Sequence, residues 1–575
     1  MDFDDILLYT NLLFRDFPEE LERLRSRFSF ILVDEYQDTN YAQYLIIKKL
    51  AADHRNICVV GDDAQSIYSF RGARIENILN FKKDYPDARE FRLEQNYRST
   101  RTIVKAANSL IAKNSNQLEK RCFSSLAEGE RIKVVSAFTD QEEAFMVASS
   151  VLSRIYQDKA SYGDFAVLYR TNAQSRAVEE ALRKRSLPYK IYGGHSFYER
   201  AEVKDMISFL RLLLNKKDDE AFRRIVNVPP RGIGDTTLAC LTAAANAEGI
   251  SLWEAMTSGQ MSVMGIKPAA VNRLLLFASM ISEISEHIYS YNAYDVAMEV
   301  LVKSGYLDYL KSDTSVEGQA RLDNVEELMN SIKAFVEEYE EASVDGDVDV
   351  EAGEIAHVVS LTNYVENISL LSSVDENNGP EDSNKISLMT VHSAKGLEFP
   401  YVYVIGMEEN LFPSGSMSGI NFNDMEEERR LFYVAITRAK YSVTLSYAQS
   451  RFRWGSHVNY PVSRFLKEID SEYLDWPENT AQTINPLHEM QHMRNLQALE
   501  SLHSMPTFHK TADTDFKADP PSKLRVGQKV EHDRFGYGLL LELEGNQPNT
   551  KAIVDFEQGG RKTLLLKFAK LRVVE

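Results

Sequence analysis

Two apolar runs that stop at acids constrain this chain more than any other feature. Phe28 to Val33, apolar but for Ser29, runs into Asp34-Glu35, and Ile57-Cys58-Val59-Val60 runs into Gly61-Asp62-Asp63. Between them Ala42, Leu45, Ile46 and Leu50 fall on one helical stripe. A strand buried on both faces reads as a continuous apolar run, and two such strands around a helix make a βαβ unit. Ligands of parallel sheets sit beyond the carboxyl ends of the strands, so the acids mark where a site is expected.

The alternation continues along the chain. Strands are expected at 133–137, 165–169, 386–391, 401–405 and 442–447, with helices such as 142–156 and 425–439 between them. The region 191–384 reads instead as mostly helical, through 203–214, 218–226, 269–284 and 316–339. A polar stretch at 476–521 reads as a linker. Beyond it Gly527, Gly536, Gly538, Gly545, Gly559 and Gly560 punctuate short strands at 539–543 and 552–556, a spacing that fits a small β-barrel.

Composition sets the outer bounds. A chain of 575 residues with 44% hydrophobic residues spread along its length is neither disordered nor a single core, since cores stop growing at roughly 250–300 residues. Cys58, Cys122 and Cys240 are too few for a disulfide framework and point to a reducing, cytoplasmic setting. The start has no basic segment, and no run reaches the roughly 18 apolar residues of a membrane span. The net charge of −19, from 66 Lys+Arg and 85 Asp+Glu, argues at first against a nucleic-acid partner. Its position reverses that reading. Between Lys333 and Lys385 there are fourteen acids and no Lys or Arg, and without that stretch the rest of the chain stands at −5.

The acids have company that narrows the chemistry. Val33-Asp34-Glu35-Tyr36-Gln37-Asp38-Thr39-Asn40 is followed by Gly61-Asp62-Asp63-Ala64-Gln65-Ser66-Ile67-Tyr68-Ser69-Phe70-Arg71-Gly72-Ala73 and by Leu93-Glu94-Gln95-Asn96-Tyr97-Arg98-Ser99-Thr100. Then come Thr390-Val391-His392-Ser393-Ala394-Lys395-Gly396-Leu397-Glu398-Phe399 and Glu426-Glu427-Glu428-Arg429-Arg430-Leu431-Phe432-Tyr433-Val434-Ala435-Ile436-Thr437-Arg438-Ala439. These five strings, in this order, resemble the helicase motifs of the UvrD/Rep/PcrA group of superfamily 1 DNA helicases.

The resemblance implies an α/β fold with two RecA-like P-loop-type motor domains, the first incomplete, an α-helical inserted domain and a small C-terminal β-barrel of the Tudor/SH3-like kind. On it, 1–95 is the C-terminal part of the first motor domain and 96–190 with 385–470 the second. The insert is 191–384, the linker 471–522 and the barrel 523–575. It implies an ATP-dependent DNA helicase translocating 3′ to 5′ on single-stranded DNA, acting at junctions of single- and double-stranded DNA in repair or replication restart, with ATP and Mg²⁺ as cofactors.

It also distributes roles. Asp34 holds Mg²⁺, a hard cation that takes oxygen ligands, and Glu35 activates the attacking water. Arg98 and Arg438 neutralise charge on the γ-phosphoryl group, where one arginine is worth roughly 10³–10⁵ in rate. Gln65 senses the γ-phosphate between ATP and DNA, Tyr97 packs on the adenine, and Glu398 accepts from the ribose hydroxyls. Tyr68 and Phe70 stack on bases with Arg71 on a phosphate, and His392 lies on the same DNA side; the alternative for Tyr68, and less so for Phe70, is a core residue, and a lone histidine such as His392 is more often structural. Gly232 and Gly234, in Pro229-Pro230-Arg231-Gly232-Ile233-Gly234-Asp235-Thr236-Thr237, resemble a turn whose amides touch duplex phosphates; a tight turn without ligand is the alternative. From Pro521 the tail has ten basic and seven acidic residues, suited to weak contact with nucleic acid or a protein partner.

The chain departs from the group in one respect. It contains no G-x-x-x-x-G-K-[ST] string, whose amides cradle phosphates and whose lysine reaches the β and γ groups. Ser393-Ala394-Lys395-Gly396 has the wrong order. Asp2-Phe3-Asp4-Asp5 resembles an internal family segment, so the chain is expected to be N-terminally incomplete, to leave a parallel sheet with an unpaired edge, and to bind ATP poorly by itself. A non-catalytic DNA-binding adaptor on the same scaffold is the rival from another class. A helicase-nuclease is a third, against which no clustered acids with a lysine follow Arg438.

Overall fold

The computed structural model describes residues 1–261, 264–344, 360–373, 384–415 and 422–476, and in the C-terminal part 523–532, 536–544, 551–556, 560–565 and 571–573. The chain divides into two compact units, Met1–Thr480 and Ala481–Glu575. The stretch read as a linker, and most of the acidic stretch, lie outside the described residues.

The first unit begins with helices Phe3–Asp16 and Pro18–Arg27, then strand Ile31–Val33, helix Tyr41–Ala51 and strand Ile57–Val59. Asn40 caps the 41–51 helix by accepting from the Gln43 amide, and Gln43 returns the bond, so the helix starts where the strand's loop ends. The two strands pair in parallel, Leu32 opposite Cys58, as the βαβ reading requires. They differ from it in length and cover. The first strand is three residues long, and Leu32 is 79% exposed. Among the described residues this sheet has only two strands, so one face, carrying Leu32 and Cys58, is open while Ile31, Val33, Ile57 and Val59 are half-buried.

The second sheet has seven strands, all paired in parallel, in the order Leu474–Asp475, Ile132–Ala137, Ala439–Ala448, Phe399–Val404, Phe165–Tyr169, Ile386–Thr390, Tyr189–Ile191. Phe165, Val167 and Tyr169 join a core with Val147, Val178 and Leu182 of the helices Asp140–Asp158 and Ser175–Lys184. Ala166 and Leu168 join another with Ile103, Leu110 and Leu431 of Arg101–Ile111 and Phe422–Thr437. Cover on both faces is why these strands read as unbroken apolar runs. Leu474–Asp475 extends the sheet past residue 470, where the sequence had placed the end of this domain.

Between two neighbouring strands of that sheet, Tyr189–Ile191 and Ile386–Thr390 with Tyr189 opposite Ile386, the chain leaves for a helical block. Its helices run from Ala201–Leu214 to Leu361–Ser373 around one core containing Phe209, Phe222, Phe277 and Leu328. The long helix Val316–Val344 meets the sheet domain through ion pairs of Glu327 with Arg176, at 2.5 Å, and Glu326 with Arg453, at 3.1 Å.

The C-terminal unit holds a five-stranded antiparallel sheet, ordered Gly560–Leu565, Lys551–Phe556, Gly536–Glu544, Lys529–His532, Leu571–Val573. Val530, Leu540, Val554 and Leu571 are buried in it.

Candidate active site and nucleic-acid surface

Both acid-bearing strand ends converge. Asp34 leaves the first strand exposed, and Glu35 follows in the left-handed region at φ 49°, a strained conformation for a residue with a side chain. Gln37, fully buried, ties the two ends together. Its Nε2 donates to Glu35 Oε2 at 2.5 Å, and its Oε1 accepts from the Asp62 amide at 3.0 Å. A Cβ at Gly61 would lie 2.4 Å from Gln37 Oε1 and 3.2 Å from the Tyr36 amide, so the second strand can end this close only on a glycine.

The facing wall comes from the second sheet domain. Arg438, at the end of Phe422–Thr437, is 2% exposed; its Nε donates to the Val434 carbonyl and its Nη2 to Gln65 Oε1 at 3.2 Å. Burial, with Arg98 nearby, pushes it down to about 10. Gln65 is thus the point where the walls meet. Arg98 Nε donates to Glu398 Oε2 at 2.6 Å, and Lys440 Nζ lies 2.8 Å from the other oxygen. The hydrogen bonds from Lys440 and Arg98 hold Glu398 down to about 2. Tyr97 is 76% exposed and its hydroxyl donates to Gln95 Oε1, so its ring is open for a planar ligand.

One residue in this centre was not read from the sequence. Lys395, set aside there as part of a mis-ordered phosphate-loop string, is 8% exposed by side chain. Its Nζ pairs with Asp38, donates to the Gln65 carbonyl at 2.8 Å and lies 3.6 Å from Glu35 Oε2. Its only sequence signal was proximity to His392, because its partners are remote in the chain.

On the other side of Gln65 the aromatic residues gather. Tyr68 and Phe70 have ring centroids 6.1 Å apart, His392 meets Phe70 edge-on at 5.4 Å, and the Arg71 guanidinium lies 5.6 and 5.4 Å from the two ring centres. Tyr68 is half-buried, its hydroxyl donating to the His392 carbonyl at 3.3 Å, whereas Phe70 is 49% exposed. The core residue of this segment is Ile67, fully buried beside them. Burial, then Arg170, pushes His392 down to about 4, so it is neutral at pH 7.

The glycine turn of the helical block stands apart. Gly232 has φ 72°, and a Cβ there would fall 2.5 Å from Arg273 Nη1, which donates to the Gly232 carbonyl at 2.8 Å. Gly234 precedes Asp235–Glu248, whose N-terminus has no side-chain cap and lies exposed, leaving first-turn amides open to an anion. Arg231 turns inward instead, donating to the carbonyls of Ile225 and Ser304, and burial pushes it down to about 10.

Among the described residues no three carboxylate, histidine or cysteine side chains close into a metal cage. A cavity of about 590 Å³ lies elsewhere, lined by residues such as Gln174, Glu326 and Arg453.

Comparison with known proteins follows the same division. Residues 1–86 match the UvrD/REP helicase N-terminal domain, 91–450 the UvrD-like helicase C-terminal domain, and 526–572 the PcrA/UvrD tudor domain. The chain is 38% identical over 577 residues to the ATP-dependent DNA helicase PcrA of Staphylococcus aureus (strain Mu50 / ATCC 700699), covering all of this chain and 74% of that protein. It is also 38% identical over 573 residues to the PcrA of Staphylococcus epidermidis (strain ATCC 12228 / FDA PCI 1200), covering 99% of this chain and 74% of the relative.

Proposed function

The chain belongs to the UvrD-like family of ATP-dependent DNA helicases, and from that premise we propose that it moves 3′ to 5′ along single-stranded DNA in repair or replication restart, through the cleft that meets at Gln65. The observation that carries this reading is the position of Gln65. Its Oε1 accepts from Arg438, its carbonyl accepts from Lys395, and Tyr68 and Phe70 lie three and five residues after it in the chain. A group so placed can make the state of one wall felt by the bases on the other.

The residues present fit a nucleotide on one side of the cleft. Asp34 would hold the magnesium ion, Arg98 and Arg438 the terminal phosphate, Tyr97 the adenine face and Glu398 the ribose hydroxyls. When bound, ATP supplies a phosphoanhydride bond whose cleavage drives the cycle. Glu35, oriented by Gln37, would take the proton of the attacking water. Lys395 would have to give up Asp38 and Glu35 for a divalent cation to sit beside them, since both cations draw on the same oxygens. Tyr68 and Phe70 would take stacked bases, with Arg71 on a phosphate, and the amides after Gly232 and Gly234 would meet duplex phosphates. The C-terminal unit would offer a weak site for nucleic acid or a protein partner.

The 575 residues contain no G-x-x-x-x-G-K-[ST] string, so this polypeptide by itself is expected to bind single-stranded DNA but to hydrolyse ATP poorly and not to unwind a duplex. The purified chain, titrated with a fluorescent oligothymidine and assayed for DNA-stimulated ATP hydrolysis, tests both halves. Strong hydrolysis overturns the deficiency, and absence of DNA binding overturns the helicase reading and its adaptor rival together.

A further inference from the structure

Gln65 is gripped at both ends of its carboxamide, and only one grip has been accounted for. Arg438 takes Oε1. Nε2 donates to Asp62 Oδ2 at 2.8 Å, and the other oxygen of Asp62 accepts from the Ala64 amide at 3.1 Å and from Lys120. Lys120 reaches Asp63 Oδ1 as well, at 2.5 Å, and its side chain is 19% exposed. Nothing in the motif strings singles out Lys120, which lies 58 positions from Asp62.

The geometry points to Lys120 as a positioning residue: by holding Asp62 from across the cleft it sets which way the carboxamide of Gln65 faces. The inference rests on the reading of Gln65 as the group between nucleotide and DNA. Two features make Lys120 more than a surface ion pair. First, its loop is tied to the helix that ends at Arg438. The Ser115 amide donates to Glu426 Oε1 at 2.6 Å, the Asn114 Nδ2 donates to the Glu426 carbonyl at 3.0 Å, and Arg429 donates to Asn114 Oδ1 at 2.5 Å. Both grips on Gln65 therefore lead back to Phe422–Thr437, and the amide is read by one rigid body. Second, the charge arrangement requires the lysine. Burial pushes Asp62 up, and Lys120, joined by the hydrogen bonds from Gln65 and the Ala64 amide, more than reverses that, so the group stays an anion that can only accept. Burial pushes Lys120 down in turn, and Asp62 with Asp63 holds it above its ordinary value. Removing the ammonium leaves a half-buried carboxylate, 30% exposed, without its cation; it can then take up a proton or turn to solvent, and either event frees the Gln65 Nε2.

The test needs neither nucleotide nor DNA. In the deuterated full chain labelled with ¹⁵N at glutamine side chains, Gln65→Ala identifies the Gln65 amide signals. Hydrogen exchange of that amide is expected to be slowed about tenfold in the native chain, the scale of one hydrogen bond to a charged acceptor. Lys120→Met should bring it to the rate of an open glutamine, Lys120→Arg should keep the slowing, and Gln37 should be unchanged throughout. Lys120→Gln, a gentler neutral change, should match Lys120→Met if that variant does not fold. An unaltered Gln65 rate in the neutral variants overturns the proposal, as does a parallel change at Gln37 or failure of the arginine to restore it. Absence of DNA binding in the separate oligothymidine titration would overturn the reading of Gln65 as a link to DNA and leave these exchange outcomes readable.

Discussion

At the scale of single residues, position relative to the cleft decides what each side chain can do. Phe70, half in solvent and flanked by Arg71 and His392, is free to meet a base in a way Ile67, fully buried beside it, is not. Phe70→Ala should weaken oligothymidine binding by about 1–3 kcal/mol, measured by fluorescence anisotropy at fixed salt, with folding unchanged. Arg71→Ala should instead flatten the dependence of log affinity on log salt by about one phosphate contact. His392 adds a pH dependence. Its folded value of about 4 lies below that of a free histidine near 6.5. The unfolded chain therefore binds the extra proton first, and stability is lost as pH falls through that window. His392→Asn should reduce the slope of urea midpoint against pH between about 4 and 6.5, and leave it unchanged above pH 7. The family motifs singled out Gln65, Arg438, Tyr68 and His392 because their neighbours in the chain mark them, and the roles given to them rest on that resemblance. Lys395 was inside a quoted string but given no role, and Lys120 lay outside every string; the partners that define them are 357 and 58 positions away.

At the scale of elements, cover explains both what the sequence made legible and where it misled. The runs at 165–169 and 386–390 read as buried parallel strands and are, since helices pack on each face. Phe28 to Val33 reads the same way, yet only Ile31–Val33 is strand and Leu32 stands open. An apolar run records the cover a strand is built for, and among the described residues nothing lies over Leu32. The two positions should respond very differently to truncation. Leu168→Ala, at a fully buried site, should cost about 2–5 kcal/mol by urea unfolding. Leu32→Ala should stay within about 0.5 kcal/mol, as for other exposed sites. The helix 41–51 was legible from its apolar stripe, while the capping box of Asn40 with Gln43 that starts it was not read from the sequence. The last strand, Leu474–Asp475, was not legible, because two residues carry no periodicity.

At the scale of the whole molecule, the division into Met1–Thr480 and Ala481–Glu575 follows the shift from α/β alternation to glycine-punctuated strands in the sequence. A chain ending at residue 480 should keep its single-stranded DNA affinity within about twofold, because Tyr68, Phe70, Arg71 and His392 all lie before the division. The helical block has a further consequence. It leaves and re-enters the sheet at strands that are immediate neighbours, Tyr189 opposite Ile386, so it stands where a parallel pair ordinarily has a single crossover helix. Closing so long a loop is entropically uphill until the block has condensed around its own core and drawn its ends together. Order of folding is thereby written into the topology. In pulse-labelled refolding, amides of Ala201–Leu214 should gain protection before those of Ile386–Thr390. The pair Tyr189–Ile191 and Ile386–Thr390 should be the last part of the large sheet to zip, a late seam through which the chain first reopens.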